Sequence, residues 1–237
     1  MLIFLEAVLK CSIIKLPFLR KLSNIFSFLI IILTTTISCI KTEKFNIQNG
    51  DLLFQDLDSS PLCEGIEKVT IGFSDMKFSH IGIYTNINNE DYVLEAFDGV
   101  DTVKLDEFLN RSLNKKKQPK VVVGRLQKKY QNLIPNSLKH GMSLINLEYD
   151  EEFKIDNGKY YCSELIYEMF LISNNNEEFF ELQPMTYKFK GQTLDVWKDY
   201  FEKLNKIIPE NEPGINPGGI SLSKKIKIIY NYQDNTY

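Results

Sequence analysis

The residue best placed for chemistry is Cys162, which lies where an aromatic pair, Tyr160-Tyr161, gives way to a helical pattern of apolar residues. A thiol in the first turn of a helix is close to unpaired backbone N–H groups and to the positive end of the helix dipole, and both favour the thiolate. The backbone N–H of Cys162 can also point to the oxygen of a tetrahedral intermediate. This position favours a cysteine nucleophile, whereas a lone cysteine without partners is more often a buried structural residue.

A histidine can supply the base that such a thiol needs. His80 lies within the alternating stretch 78–84, where it shares one face of a predicted strand with Phe78. An imidazole within hydrogen-bonding distance takes the thiol proton and returns it to the leaving group. The other histidine of the chain, His140, lies in a predicted helix without comparable companions. His80 is therefore the predicted base, and His140 is the minor alternative.

A carboxylate that orients the imidazole is predicted from the register of a hairpin. Two strands flank a turn centred near Asn88-Asn89, so directly opposed residues have numbers that add up to about 177. This register places His80 opposite Phe97, and it places Glu95 one diagonal away on the same face. A thiol, an imidazole and a carboxylate are together the groups needed for acyl transfer through a thioester.

A sheet and a helix must bring these residues together. Alternating apolar residues predict strands at 50–55, 78–84, 92–96, 100–103, 120–126 and 226–230. Helical spacing predicts helices at 105–113, 133–147, 163–171 and 194–207. The fold class that follows is α+β, with an antiparallel sheet packed against helices that include the nucleophile helix. The tail 209–219 is rich in Pro, Gly and Asn and is predicted to be irregular.

Two connections, 56–77 and 148–159, are predicted loops around the cleft, and such loops set substrate specificity. The candidate substrate-contacting residues are Tyr149, Asp150, Tyr161 and Ser163. The tyrosines fit equally well as half-buried core residues with their hydroxyl groups in water.

Four short motifs carry a resemblance to a known family, namely Gly50-Asp51-Leu52-Leu53-Phe54, Ser79-His80-Ile81-Gly82-Ile83-Tyr84, Leu94-Glu95-Ala96 and Tyr161-Cys162-Ser163-Glu164-Leu165. With these motifs in this order, the sequence resembles the permuted NlpC/P60, or YiiX-like, papain-fold hydrolases. The cysteine follows the histidine by 82 positions (162 minus 80), whereas it precedes the histidine in unpermuted relatives. The resemblance implies a circularly permuted papain-like fold, with Cys162 as nucleophile, His80 as general base and Glu95 as the orienting third residue.

The substrate is less well determined than the site. The family includes amidases and peptidases, some acting on cell-wall peptides, and more distant lipid acyltransferases and phospholipases that commonly use a second histidine as third residue. Glu95 therefore favours the amidase side. We expect a cysteine amidase or peptidase that acts on a peptide or amide. The alternatives are a lipid acyl hydrolase or acyltransferase with the same triad, and a non-catalytic binding module on the same fold.

The composition argues against several other classes of protein. The four cysteines, Cys11, Cys39, Cys63 and Cys162, show no CxxC spacing, and the chain has 2 histidines, so a structural zinc site and a disulfide framework are poorly supported. The formal net charge of −3 argues against a nucleic-acid surface, which would need basic residues to neutralise phosphates. We predict no metal, no cofactor and no nucleic-acid partner.

The N-terminal region has the organisation of an export signal. A basic stretch at 15–21 precedes the apolar run 25–33, and small and polar residues follow up to Ser38-Cys39. This order predicts a leader over 1–39 with lipid attachment at Cys39. A plain N-terminal membrane anchor is the alternative.

The chain is therefore predicted to divide into the leader over 1–39, a polar linker over 40–49 and a catalytic domain over 50–237. The expected location is the cell envelope, with the exported domain tethered to the membrane through its N-terminus.

Overall fold

The computed structural model describes residues 45–236, which form an α+β fold. The strands are β1 (Leu52–Gln55), β2 (His80–Ile87), β3 (Glu90–Ala96), β4 (Val100–Lys104), β5 (Val121–Leu126), β6 (Gln183–Pro184), β7 (Lys188–Phe189), β8 (Gln192–Thr193), β9 (Pro213–Gly214) and β10 (Ile226–Asn231). The α-helices are α1 (Pro61–Val69), α2 (Leu105–Asn110), α3 (Ile134–Ser143), α4 (Cys162–Ser173), α5 (Asp195–Lys203) and α6 (Pro217–Ser221).

One 6-stranded sheet forms the centre of the described part of the chain, in the order β10-β5-β1-β2-β3-β4. All neighbouring strands in it are antiparallel. The short strands form two separate pairs, β6 with β9 and β7 with β8. The predicted α+β class with an antiparallel sheet is confirmed.

The hairpin between β2 and β3 has the predicted register. Ile83 lies opposite Leu94, so the numbers of opposed residues add up to 177 (83 plus 94). Asn88 and Asn89 make the turn with φ angles of 52° and 65°, a left-handed conformation that asparagine tolerates and that a type I′ hairpin turn needs. Glu95 therefore lies on the face of the sheet that the sequence predicts.

The two faces of the sheet are covered by different apolar clusters. On one face, Ile81 belongs to a large core that includes Leu165 of α4. On the other face, Tyr84 belongs to a smaller core around Phe108 of α2. Alternation along β2 puts His80 on the second face. Because His80 is the first residue of β2, it lies at the end of the strand, within reach of the start of α4.

One helix lies where the sequence predicts a loop. The connection 56–77 contains α1, which begins at Pro61. Proline suits the first position of a helix, since its fixed φ is helical and its missing N–H would be unbonded there. The apolar residues Leu62 and Ile66 then pack against the large core. The loop prediction was wrong because Pro61 suits a helix start as well as a loop, and the packing of Leu62 and Ile66 on the core selects the helix.

The predicted helices are confirmed, although their ends differ from the predicted ones. Helices α2, α3 and α5 end at Asn110, Ser143 and Lys203, earlier than predicted, whereas α4 continues to Ser173. The tail predicted as irregular contains β9 and the short helix α6.

The predicted leader and the lipid-attachment residue Cys39 lie outside the described residues. The last part of the predicted linker packs on the domain, since the ring of Phe45 stacks on Tyr230 at a centroid distance of 4.2 Å. The carbonyl oxygen of Asn46 also accepts a hydrogen bond from Arg125. Packing therefore extends upstream of the predicted domain start at Gly50. Among residues 45–236, no helix combines the length and apolarity needed to cross a membrane.

Candidate active site

Cys162 is the first residue of helix α4, as the sequence predicts. Tyr161 precedes it in an extended conformation, and the Glu164 carboxylate accepts the Tyr161 backbone N–H at 3.4 Å, which fixes the entry to the helix. Cys162 is buried, with 6% of its surface exposed. The thiol therefore lies close to the free N–H groups and the positive dipole end of a twelve-residue helix.

His80 joins Cys162 to Glu95. Its Nε2 lies 2.6 Å from Oε2 of Glu95, and the Cys162 side chain lies close enough to the ring to raise the pKa of His80. Because Glu95 occupies Nε2, Nδ1 is the ring nitrogen that remains for the thiol. The structure thus brings together the three residues that the sequence predicts to form the site.

The charges in this group favour a protonated imidazole. Burial lowers the pKa of His80, but hydrogen bonds to Cys162 and Glu95 and the negative charges of these partners outweigh burial and raise the pKa to about 9. At neutral pH, an imidazolium therefore faces the sulfur. An imidazolium stabilises a neighbouring thiolate, which is the form of cysteine that attacks a carbonyl.

Glu95 is held by an arginine that no motif in the sequence indicates. Nη1 of Arg111 donates to Oε2 at 2.8 Å and Nη2 lies 2.6 Å from Oε1, so the guanidinium binds both carboxylate oxygens. Burial raises the pKa of Glu95, but the contacts with His80 and Arg111 outweigh it and lower the pKa. Arg111 directly follows α2. The sequence around a single arginine after a short helix does not indicate that this arginine pairs with a residue of another strand or helix.

Two phenyl rings enclose the imidazole of His80. Phe97 packs against it edge-on at a centroid distance of 5.6 Å, and Phe108 lies at 5.8 Å. The guanidinium of Arg111 lies over the Phe97 ring, 4.5 Å from its centroid. The rings exclude water from the ion pairs and restrict rotation of the imidazole, which strengthens its hydrogen bond to Glu95.

Replacing Arg111 with leucine should weaken the site without removing any of its three central residues. The buried Glu95 carboxylate would keep only the His80 imidazolium as a charged partner, so we expect a loss of about 1–3 kcal/mol in the free energy of unfolding and about a tenfold fall in activity. Urea denaturation and the rate of acylation by p-nitrophenyl butyrate measure the two effects. Glu107→Gln is the matched control, because Glu107 lies 4.0 Å from the same guanidinium and should matter little. Equal values for Arg111→Leu and the wild type would contradict this role.

A cavity of about 120 Å³ opens beside the sulfur. Its side chains include no aspartate, glutamate, lysine, arginine or histidine, and they are mostly apolar. They are Ile66, Val69, Thr70, Ser79, Tyr149, Phe153, Tyr161, Cys162, Ser163, Pro184, Met185, Thr186, Tyr187, Trp197, Ile215, Asn216 and Pro217. The predicted loops 56–77 and 148–159 contribute to these walls, but the segments 184–187 and 215–217 come from the C-terminal part of the chain, where no site residue is predicted from the sequence.

The candidate substrate-contacting residues occupy different places. Tyr149, Tyr161 and Ser163 line the cavity. Asp150 lies outside this lining, and its carboxylate accepts the backbone N–H groups of Glu152 and Lys154 at 2.9 Å and 2.6 Å. These contacts give Asp150 a structural role in its own loop.

His140, the alternative base, lies on α3 and faces a different residue of the nucleophile helix. Its Nε2 is 3.5 Å from Oε1 of Glu168, six residues after Cys162. Six residues of α-helix rise about 9 Å, so His140 does not reach the thiol.

The part of the chain from 45 to 236 contains no group of three or more His, Cys, Asp and Glu side chains arranged to hold a metal ion. Cys63, the other described cysteine, is a free thiol near the start of α1, and the hydroxyls of Ser59 and Ser60 lie 3.4 Å and 3.5 Å from its sulfur.

The chain is similar to known proteins in its fold and in its sequence family. No curated protein gives a significant match to the sequence. Among solved structures, the chain is similar to the crystal structure of the metalloprotein yiiX from Escherichia coli O157:H7, with a TM-score of 0.65 and 21% sequence identity over 79% of this chain and 98% of that chain. At this identity, the likeness shows a shared fold.

The sequence also matches a protein family. Residues 46–230 match the model of the permuted papain-like amidase enzymes of the YaeF/YiiX, C92 family. This match covers helix α4 and the main sheet except for Asn231, the last residue of β10, so the predicted permuted papain-like fold is confirmed. The chain belongs to this family and is a cysteine amidase or peptidase with a permuted papain-like fold.

Proposed function

We propose that the protein hydrolyses an amide or peptide bond through a thioester on Cys162, with His80 as the proton carrier and Glu95 as its orienting partner. The observation that supports this most directly is the series Cys162, His80, Glu95 and Arg111 beside an open cavity, in which His80 and Arg111 are both hydrogen-bonded to the buried Glu95 and His80 lies next to the thiol. Such a series provides the nucleophile, the base and the group that fixes the base.

Each step of this reaction has a residue to perform it. The Cys162 thiolate attacks the carbonyl carbon, and the electron pair of the C=O bond moves to oxygen. As the tetrahedral intermediate collapses, the His80 imidazolium gives its proton to the leaving nitrogen, the C–N bond breaks and a thioester remains. A water then loses a proton to the neutral His80, attacks the thioester and releases the acid, which regenerates the thiolate and the imidazolium.

The uncharged cavity supports a preference for a neutral acyl group. Its residues Phe153, Met185 and Trp197 offer apolar contact, and the cavity has no charged side chain that would pair with a charged substrate group. A volume of about 120 Å³ is slightly smaller than the roughly 150 Å³ of a cavity that binds benzene. The expected acyl group is therefore short and neutral, such as one with a small aliphatic chain.

The same apolar lining favours a second candidate, hydrolysis or transfer of a lipid acyl group by the same residues. The size of the cavity argues against it, since only a few carbons of a long acyl chain would be enclosed. The two candidate functions therefore predict different substrates, and assays of amides and lipids side by side distinguish them.

The test incubates the full chain with butyryl and succinyl amides of aminomethylcoumarin, with muropeptides and with phosphatidylglycerol vesicles, using Cys162→Ala as the blank. Butyryl and succinyl have the same number of carbons and differ in a terminal carboxylate. We expect hydrolysis of the butyryl amide at least about tenfold faster than that of the succinyl amide, because the charged group would lose its solvation in the cavity. Release of fatty acid that exceeds all amide hydrolysis would instead establish the lipid reaction. A wild-type protein that forms no acyl-enzyme with any of these compounds would contradict both.

A further inference from the structure

We propose that Asn216 is a catalytic residue, whose side-chain amide donates a hydrogen bond to the substrate carbonyl oxygen as negative charge develops on it. The proposal rests on the proposed function, because it concerns the tetrahedral intermediate of that reaction. It adds a side-chain donor to the backbone N–H of Cys162 at the start of α4.

The backbone of Ile215, which precedes Asn216, is hydrogen-bonded to both sequence neighbours of Cys162. The backbone N–H of Ile215 donates to the hydroxyl of Tyr161 at 3.1 Å, and the Ser163 hydroxyl donates to the carbonyl oxygen of Ile215 at 3.0 Å. All three residues are buried. Because Tyr161 and Ser163 flank Cys162, these two hydrogen bonds fix the position of Asn216 relative to the thiol.

The side chain of Asn216 is itself oriented. Its Oδ1 accepts the backbone N–H of Gly219 at 2.7 Å, as the N-cap of α6. This contact uses the oxygen of the amide and leaves the Nδ2 donor for another group. Within residues 45–236, no acceptor is hydrogen-bonded to Nδ2. Asn216 lines the same cavity as Cys162 and Ser163, and it also lines a second cavity that includes Ile220. In the proposed role, its free Nδ2 donor faces the space beside the thiol.

A second hydrogen-bond donor would stabilise the oxyanion of the tetrahedral intermediate in this site. A tetrahedral intermediate carries a full negative charge on oxygen, and preorganised donors stabilise this charge more than the neutral carbonyl of the bound substrate. The cavity is otherwise mostly apolar, which makes a fixed amide donor more effective than the same group in water. The effect should therefore appear in the rate of acylation, with little change in substrate binding.

Two substitutions separate this role from helix capping. Both Asn216→Ser and Asn216→Asp keep an oxygen that can cap α6, but neither keeps the amide donor. The serine variant is neutral, and the aspartate variant has nearly the shape of asparagine. Acylation of Cys162 by p-nitrophenyl butyrate passes through an oxyanion, whereas alkylation of the same thiol by iodoacetamide does not. We expect both variants to be acylated about 10²-fold more slowly, with unchanged alkylation of the serine variant and unchanged thermal unfolding.

The possible outcomes are distinct. Slower acylation of both variants with normal alkylation of Asn216→Ser supports the proposal. Normal acylation of the serine variant, with slow acylation of the aspartate variant alone, would overturn it, since repulsion by the new charge would then be the cause. A rise in KM at constant maximal acylation rate would also overturn it, because the residue would then bind the ground state. A wild-type protein that is never acylated at Cys162 would refute the proposed function itself and is distinguishable from these results.

Discussion

Replacing Cys162 with alanine is expected to lower the rate of amide hydrolysis by about 10⁶-fold, which is the size of loss seen when a nucleophile that acts together with its base is removed. The butyryl amide assay measures this loss, and the acylated peptide identified by mass spectrometry should contain Cys162 in the wild type. Alanine leaves only a small space at the helix start, where residue Cys162 is 6% exposed. The variant should therefore remain folded, which circular dichroism can check.

Cys63→Ala is a matched control for this experiment. Cys63 is also a buried free thiol near the start of a helix, but the groups next to its sulfur are the hydroxyls of Ser59 and Ser60 rather than an imidazole. If placement at a helix start were sufficient, both cysteines would be acylated. We expect Cys63→Ala to retain wild-type activity. Substantial hydrolysis by Cys162→Ala would contradict the assignment of the nucleophile.

The second large effect is expected for His80→Gln, which should reduce hydrolysis by about 10⁴-fold or more, because the variant loses both the base and the proton donor for the leaving amine. His140→Gln is the control, as His140 contacts Glu168 and lies far from the thiol. Hydrolysis by His140→Gln should match the wild type. Loss of activity in His140→Gln together with retention in His80→Gln would reverse the assignment of the base.

The same substitution should change how stability depends on pH. The pKa of His80 is raised in the folded protein to about 9, whereas an unfolded histidine has a pKa of about 6.5. The folded state therefore binds more protons between these values, and the stabilisation is complete below about pH 6.5 and is lost as pH rises through about 9. We expect His80→Gln to have a flatter dependence over this window in urea denaturation at pH 6 and pH 9. Parallel curves for the two proteins would contradict the pKa of His80.

The sequence was sufficient to predict the parts of the site that depend on local geometry. Strand alternation and the turn at Asn88-Asn89 determine which residues of the hairpin face each other, so His80 and Glu95 could be paired from their numbers alone. The aromatic-to-helical change at Cys162 likewise predicted the helix start. Both inferences need only the periodicities of neighbouring elements.

The features that could not be predicted depend on contacts between distant parts of the chain. Arg111 reaches Glu95 because α2 packs its apolar side against Tyr84 and Val93 of the sheet. The sequence of α2 alone does not predict which part of the sheet it contacts. Ile215 meets Tyr161 across 54 residues of sequence. The loop prediction for Pro61 failed for a different reason, because proline both ends strands and begins helices, and only the packing of α1 on the core decides between them.

Alkylation of Cys162 by iodoacetamide at pH 7, compared between the wild type and His80→Gln, tests whether the imidazole of His80 activates the thiol. Iodoacetamide reacts with the thiolate, and a neighbouring imidazolium favours that form. We expect Cys162 to be alkylated at least about tenfold faster in the wild type than in His80→Gln. Equal rates of alkylation in the two proteins would contradict the pairing of Cys162 with His80 and the proposed reaction.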